Sequence, residues 1–225
     1  MTEFLQQLIN GVSVGSMYAL IALGYTLVYG VLRFINFAHS DVFMVGAFAG
    51  MYLGRNLGQA SVGGGLLVML GAMAICAVLG MLIERFAYRP LRDRSKLSVL
   101  ITAIGMSLFL ENAGQLVFGP NPQPFPTTFP SRNFELGLVV VSSKDLVVFG
   151  VAVVLLAALQ LLVLKTKIGT AMRATAFNPQ AAALMGININ HVISFTFGLG
   201  SALAAQSGNL GACHSSSSLY ESTAC

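Results

Sequence analysis

A chain of 225 residues that is 56% hydrophobic and 9% charged, with a mean hydropathy of +0.78, has too few polar side chains to coat a water-facing globule; soluble domains carry roughly 25% charged residues. Lipid as the main solvent removes that shortage, and disorder, which needs low hydrophobicity and high charge, is excluded. The net charge of +4 is no sign of nucleic-acid binding, because most of the twelve Lys and Arg fall in short loops between apolar segments.

The first apolar stretch, 8–32, is uncharged and exceeds the roughly 20 residues that a helix needs to cross the hydrocarbon core. No Lys or Arg precedes it, so it reads as a retained span and not as a cleaved signal. The second span is expected over 34–53, which places Asn36, His39 and Asp41 at or near the membrane boundary. His39 and Asp41 lie two apart and do not share a helix face, so capping by Ser40 or Asp41 is a simpler account than a proton relay. Gly46, Gly50 and Gly54 recur every four residues and form a smooth strip for close helix packing.

The third span, 62–83, is uncharged and ends in a segment, 84–96, that holds five of the twelve basic residues. A fourth covers 97–118 with Glu111 and Asn112 inside it; Pro120, Pro122, Pro124, Pro126 and Pro130 then predict an extended loop. The fifth, 146–164, leads into a mildly basic, Ala-rich loop, 165–191. With Arg33, 84–96 and 165–173 on the cytoplasmic side, nine Lys and Arg lie inside against Arg55, Arg132 and Lys144 outside. That bias predicts an N-terminus outside and loops 84–96 and 165–191 in the cytoplasm.

After an apolar run of only 14 residues, 192–205, the composition turns polar and Ser-rich. The expected architecture is therefore an all-α polytopic transmembrane bundle with about five complete spans plus an incomplete sixth. It divides into a permease-like region, 1–205, and a polar tail, 206–225, expected to reflect truncation or a shifted reading frame.

No G-x-x-x-x-G-K-[ST] phosphate loop, H-E-x-x-H or paired C-x-x-C occurs. Cys76, Cys213 and Cys225 lack metal-ligand spacing, so neither catalysis, metal nor cofactor is expected. Polar groups inside apolar stretches are costly and functional by default. Asn36, His39, Asp41, Glu111 and Asn112 are thus candidates for a translocation path, although Glu111 equally suits a carboxyl near the membrane surface. Asn178 before Pro179 suits a helix start, and Gly186 a helix stop, enclosing a short helix over 180–185. With Leu184 and Met185 exposed it would form a knob for another protein's groove; a loop packed on its own bundle is the alternative.

Five stretches occur in an order that resembles the LivH family, the membrane permease of branched-chain amino acid ABC importers. They are 5–25, Ile35-Asn36-Phe37-Ala38-His39, 83–90, 101–110, and Gly169 to Ala174 continuing through 181–187. Ser40 stands where that family usually has Gly, and Asp41 where Glu is commoner. The resemblance implies a pore-forming subunit in the bacterial inner membrane, paired with a second permease subunit, two cytoplasmic ATPases and a periplasmic amino-acid-binding protein. It also implies that 165–191 is the coupling segment, with Gly169, Arg173, Ala174, Ala182, Leu184 and Gly186 as coupling residues. Family members continue into further spans, so this chain is expected not to transport alone. A structural or assembly membrane protein is the alternative function.

Overall fold

The computed structural model describes residues 2–57, 62–92, 94–119, 121, 133–135 and 140–222. Helix α1, Thr2–Leu32, stops where Arg33 adopts φ 56°, a left-handed backbone that a non-glycine residue rarely takes. Residues 33–38 form a non-helical link, so α2 covers His39–Leu57, starting later than expected and gaining its length beyond residue 53. Helix α3, Val62–Ile83, continues into a π-helical turn, Glu84–Tyr88, and a 3-10 turn, Arg89–Leu91. Helix α4, Lys96–Phe118, is capped by Ser95, whose hydroxyl accepts from the Ser98 amide at 3.4 Å, and runs unbroken through Glu111 and Asn112. Gly119, at φ 83°, ends it.

The five prolines of the expected loop lie outside the described residues, as does Arg132. Two short strands, β1 Asn133–Glu135 and β2 Val140–Ser142, pair antiparallel with Phe134 opposite Val141. Helix α5, Ser143–Lys165, leads through Thr166 into α6, Lys167–Phe177, then α7, Pro179–Leu184, and finally α8, Ile189–Ser222.

Among the described residues, four stretches are long and apolar enough on their own to cross a membrane: Phe4–Leu32, Gly63–Leu91, Leu97–Phe118 and Leu146–Lys165. Their outward faces are greasy, with Leu67, Leu70, Ile101, Leu108, Leu146 and Val154 all exposed. Such surfaces belong in acyl chains, so this is a multi-pass helical membrane protein.

Helix α8 is the bundle's centre, packed on α1, α2 and α3. At 34 residues it is about 51 Å long, enough to cross the hydrocarbon core. It passes residue 205 without a break, and Gln206, Ser207, Asn209 and Leu210 are buried. Apolar counting expected this helix to end near 205 because such counting assumes lipid as the neighbour. Protein surrounds α8 instead, which favours small residues and tolerates polar ones. Val28, Ala38, Val42, Cys76, Tyr88 and Phe197 share one apolar cluster, and Met17, Leu20, Val148, Leu203 and Leu210 form a second.

Candidate functional site

One end of the bundle gathers α6, α7, the link 33–38 and the π turn. Thr166 breaks α5 from α6, and its hydroxyl accepts from the Gly169 amide at 3.0 Å. Gly169 is buried in that corner: a Cβ there would overlap the Leu162 and Val163 carbonyl oxygens. Further along α6, Ala174 is half-buried and Arg173 is exposed. The last carbonyls of α6 are satisfied from α1's end, where Arg33 donates through Nη2 to Ala176 O at 2.8 Å and Phe177 O at 3.2 Å.

Helix α7 is fixed by its caps. The Asn178 side-chain oxygen accepts from the Ala181 amide at 3.1 Å, with Pro179 at the first helical position. At the other end Gly186 has φ 82°, its amide donates to Ala183 O at 3.0 Å, and the Ile187 amide donates to Ala182 O at 3.1 Å. That is a Schellman closure, which a residue with a Cβ would strain. Ala182 is buried, whereas Leu184 and Met185 are 89% and 83% exposed.

Beneath this element lies a polar network that sequence reading passed over as a loop. Glu84 is fully buried, ion-pairs with Arg92, and accepts from the Ser194 hydroxyl at 2.5 Å. Arg92 also donates to the Asn190 side-chain oxygen at 3.0 Å. Tyr88 donates to the Asn36 side-chain oxygen at 2.7 Å, its ring lying 5.3 Å from both Phe34 and Phe197. The π turn is thereby tied to the link 33–38 and to the first turns of α8. An uncharged span ending in Glu, with Arg eight residues on, was the available signal; Ser194 and Asn190 gave none.

The other expected path residues separate. His39 is buried, its Nε2 3.3 Å from Ile21 O on α1 and its ring edge-on to Tyr25. Asp41 does not cap α2 but accepts from the Ser107 hydroxyl on α4 at 2.5 Å, while the Ser40 hydroxyl donates to Phe37 O at 3.0 Å. Glu111 and Asn112 are exposed on α4, Asn112 donating to Leu108 O at 2.7 Å, so they do not join Asn36, His39 and Asp41.

Glycines bring α8 within backbone contact of its neighbours. A Cβ on Gly46 would overlap the Ala205 backbone, and one on Gly50 would overlap the Asn209 side chain. Gly54 is half-buried. Gly24, Gly80, Gly200 and Gly208 make similar approaches that their spacing alone did not reveal: a Gly24 Cβ would lie 2.8 Å from Gly200 O. The side-chain amides of Gln206 and Asn209 are buried here without hydrogen-bond partners among the described residues.

No cluster of three or more His, Cys, Asp or Glu suited to a metal occurs among the described residues. The string Gly11-Val12-Ser13-Val14-Gly15 has nucleophile-elbow spacing, but Ser13 sits inside α1 and not on the strand-to-helix turn that an elbow requires.

Known proteins are similar to this chain in sequence. A family model described as "Branched-chain amino acid transport system / permease component" matches residues 7–220, including the segment beyond 205. The high-affinity branched-chain amino acid transport system permease protein BraD of Pseudomonas aeruginosa is 42% identical over 212 residues, covering 90% of this chain and 69% of that protein. The similarly named LivH of Escherichia coli (strain K12) is 39% identical over 221 residues, covering 92% and 70%. A probable LivH permease of Methanocaldococcus jannaschii is 31% identical over 209 residues, covering 87% and 62%. No solved structure matches. Apolar spans, a glycine-packed central helix and these matches agree: the chain belongs to the family of permease components of branched-chain amino acid transport systems.

Proposed function

We propose that the chain is the membrane-spanning subunit of a bacterial inner-membrane importer for branched-chain or closely related amino acids. It would form part of the translocation path together with a second permease subunit. Two cytoplasmic ATPases would drive it, and a periplasmic binding protein would deliver substrate. The N-terminus would lie outside, with Arg33, 84–96 and 165–191 in the cytoplasm, where nine of the twelve cations would gather.

The observation that carries this reading is the shape of α7. Six residues are too few to hold a helix by propensity, yet both ends are capped and Ala182 is packed inward while Leu184 and Met185 face out. Two large apolar side chains on a rigid knob fit a partner's groove. Gly169, Arg173, Ala174 and Gly186 would shape and support that knob. Asn36, His39 and Asp41 remain the path candidates inside the bundle, while Glu111 and Asn112 would contribute only from its outer face.

Substrate would cross by alternating access, with ATP binding favouring one facing of the bundle. The test is co-purification with the cognate ATPase, comparing the full chain with L184D/M185D. Loss of the ATPase with retained helical content supports docking through α7. Undiminished co-purification rules that docking out.

A further inference from the structure

The ends of α1 and α3 and the α6–α8 connections enclose a cavity of about 980 Å³. Among the described residues, four arginines line it, Arg33, Arg89, Arg92 and Arg94, and no carboxylate does. Arg92 is committed to Glu84, but among the described residues the other three have no carboxylate partner. Thr175, Gln180, Asn188 and Asn190 add hydrogen-bonding groups, and Val31, Leu32 and Ile193 supply an apolar wall. The 34-residue α8 begins at this wall, so the positive end of its dipole adds to the field.

Guanidinium groups are matched to phosphate oxygens by geometry as well as charge. A roomy cavity with excess positive charge concentrates anions. Its place at the ends of apolar spans puts it at headgroup depth, where basic pockets between helices take acidic lipids. We infer that this cavity is a binding site for a phosphate group, carried by an acidic phospholipid headgroup or by free phosphate. Nothing in the transport reading requires such a site, and its test reads binding, so either can fail alone.

The purified full chain is placed in nanodiscs of phosphatidylcholine with a minor fraction of phosphatidylglycerol, and lipid retained after transfer to detergent is measured by native mass spectrometry. A parallel arm titrates the lipid-depleted chain with inorganic phosphate, using sulfate-free, constant ionic strength, and follows the melting temperature. The site predicts retention of phosphatidylglycerol over phosphatidylcholine by about tenfold or more, lost in R89Q/R94Q and partly kept in R89K/R94K. A Tm rise with phosphate that R89Q/R94Q abolishes, without lipid preference, assigns the site to free phosphate. Circular dichroism confirms that each variant folds. The inference is overturned if neither lipid preference nor phosphate response is found, or if either persists unchanged in R89Q/R94Q.

Discussion

Removing Glu84 isolates the energetics of the network beneath α7. In Glu84→Ala, Arg92 loses its carboxylate and the Ser194 hydroxyl loses its acceptor. Breaking a fully buried ion pair by deleting one partner costs about 3–5 kcal/mol. Glu84 is fully buried but the Arg92 side chain keeps 22% exposure, a route to water that puts the loss at the lower end, about 3 kcal/mol. For a chain of this size that corresponds to a melting temperature lower by roughly 6–12 °C. Replacing both partners, E84M/R92M, leaves no stranded charge and fills similar volume. Its loss should fall well below the sum of the two single losses. Thermal loss of helical circular dichroism, measured in one detergent on the parent chain, Glu84→Met, Arg92→Met and the double variant, completes the cycle. A silent Glu84→Ala, or a double variant equal to the sum of the singles, would refute the coupling of these side chains.

Three further outcomes follow from the packing. Gly46→Ala should destabilise more than Gly50→Ala, because the first meets the Ala205 backbone and the second a side chain that can be cut back. Overpacking of this kind costs about 1–3 kcal/mol, and G50A/N209A should recover stability where Gly46→Ala has no such rescue in the same melting assay. Tyr88→Phe removes only the hydrogen bond to Asn36 and keeps the ring between Phe34 and Phe197; a loss of about 1 kcal/mol is expected by denaturant titration. Gly169→Ala drives a Cβ into the Leu162 and Val163 carbonyls, which are backbone and cannot yield. The α5–α6 corner must open, and protease sensitivity between residues 165 and 170 should rise.

How legible all this was depended on what each helix faces. Helices α3 and α5 meet lipid, so their uncharged runs announced them. Helix α7 was readable for a local reason: Asn178, Pro179 and Gly186 each answer a backbone requirement at a helix end. The centre was not readable. Gln206, Ser207 and Asn209 look unfit for a membrane until α1, α2 and α3 are seen around them. Glu84 looked like the start of a loop, since the Ser194 and Asn190 that settle its environment lie over a hundred residues away. Glu111 drew attention as a charge within an apolar span, yet α4 turns it outward.

The same geometry limits how motion can pass through the bundle. Helix α7 is joined to α8 by a short connection whose first residues include the Schellman glycine and Asn188, which accepts from the His191 amide at 3.4 Å. Asn190 and Ser194, one turn further on, are bound to Arg92 and Glu84 beyond the end of α3. Deeper in, a Cβ on Gly80 would overlap the Ser201 side chain, so α3 and α8 have no slack to slide past one another there. Close-packed interfaces of this kind switch between discrete arrangements and do not deform smoothly. On the coupling reading, a partner that displaces Leu184 and Met185 therefore moves α3 and α8 as one body. Helices α1 and α2, held to α8 by equally close glycine contacts, move with them, so the relative motion must appear where α4 meets α2 and α5 meets α1.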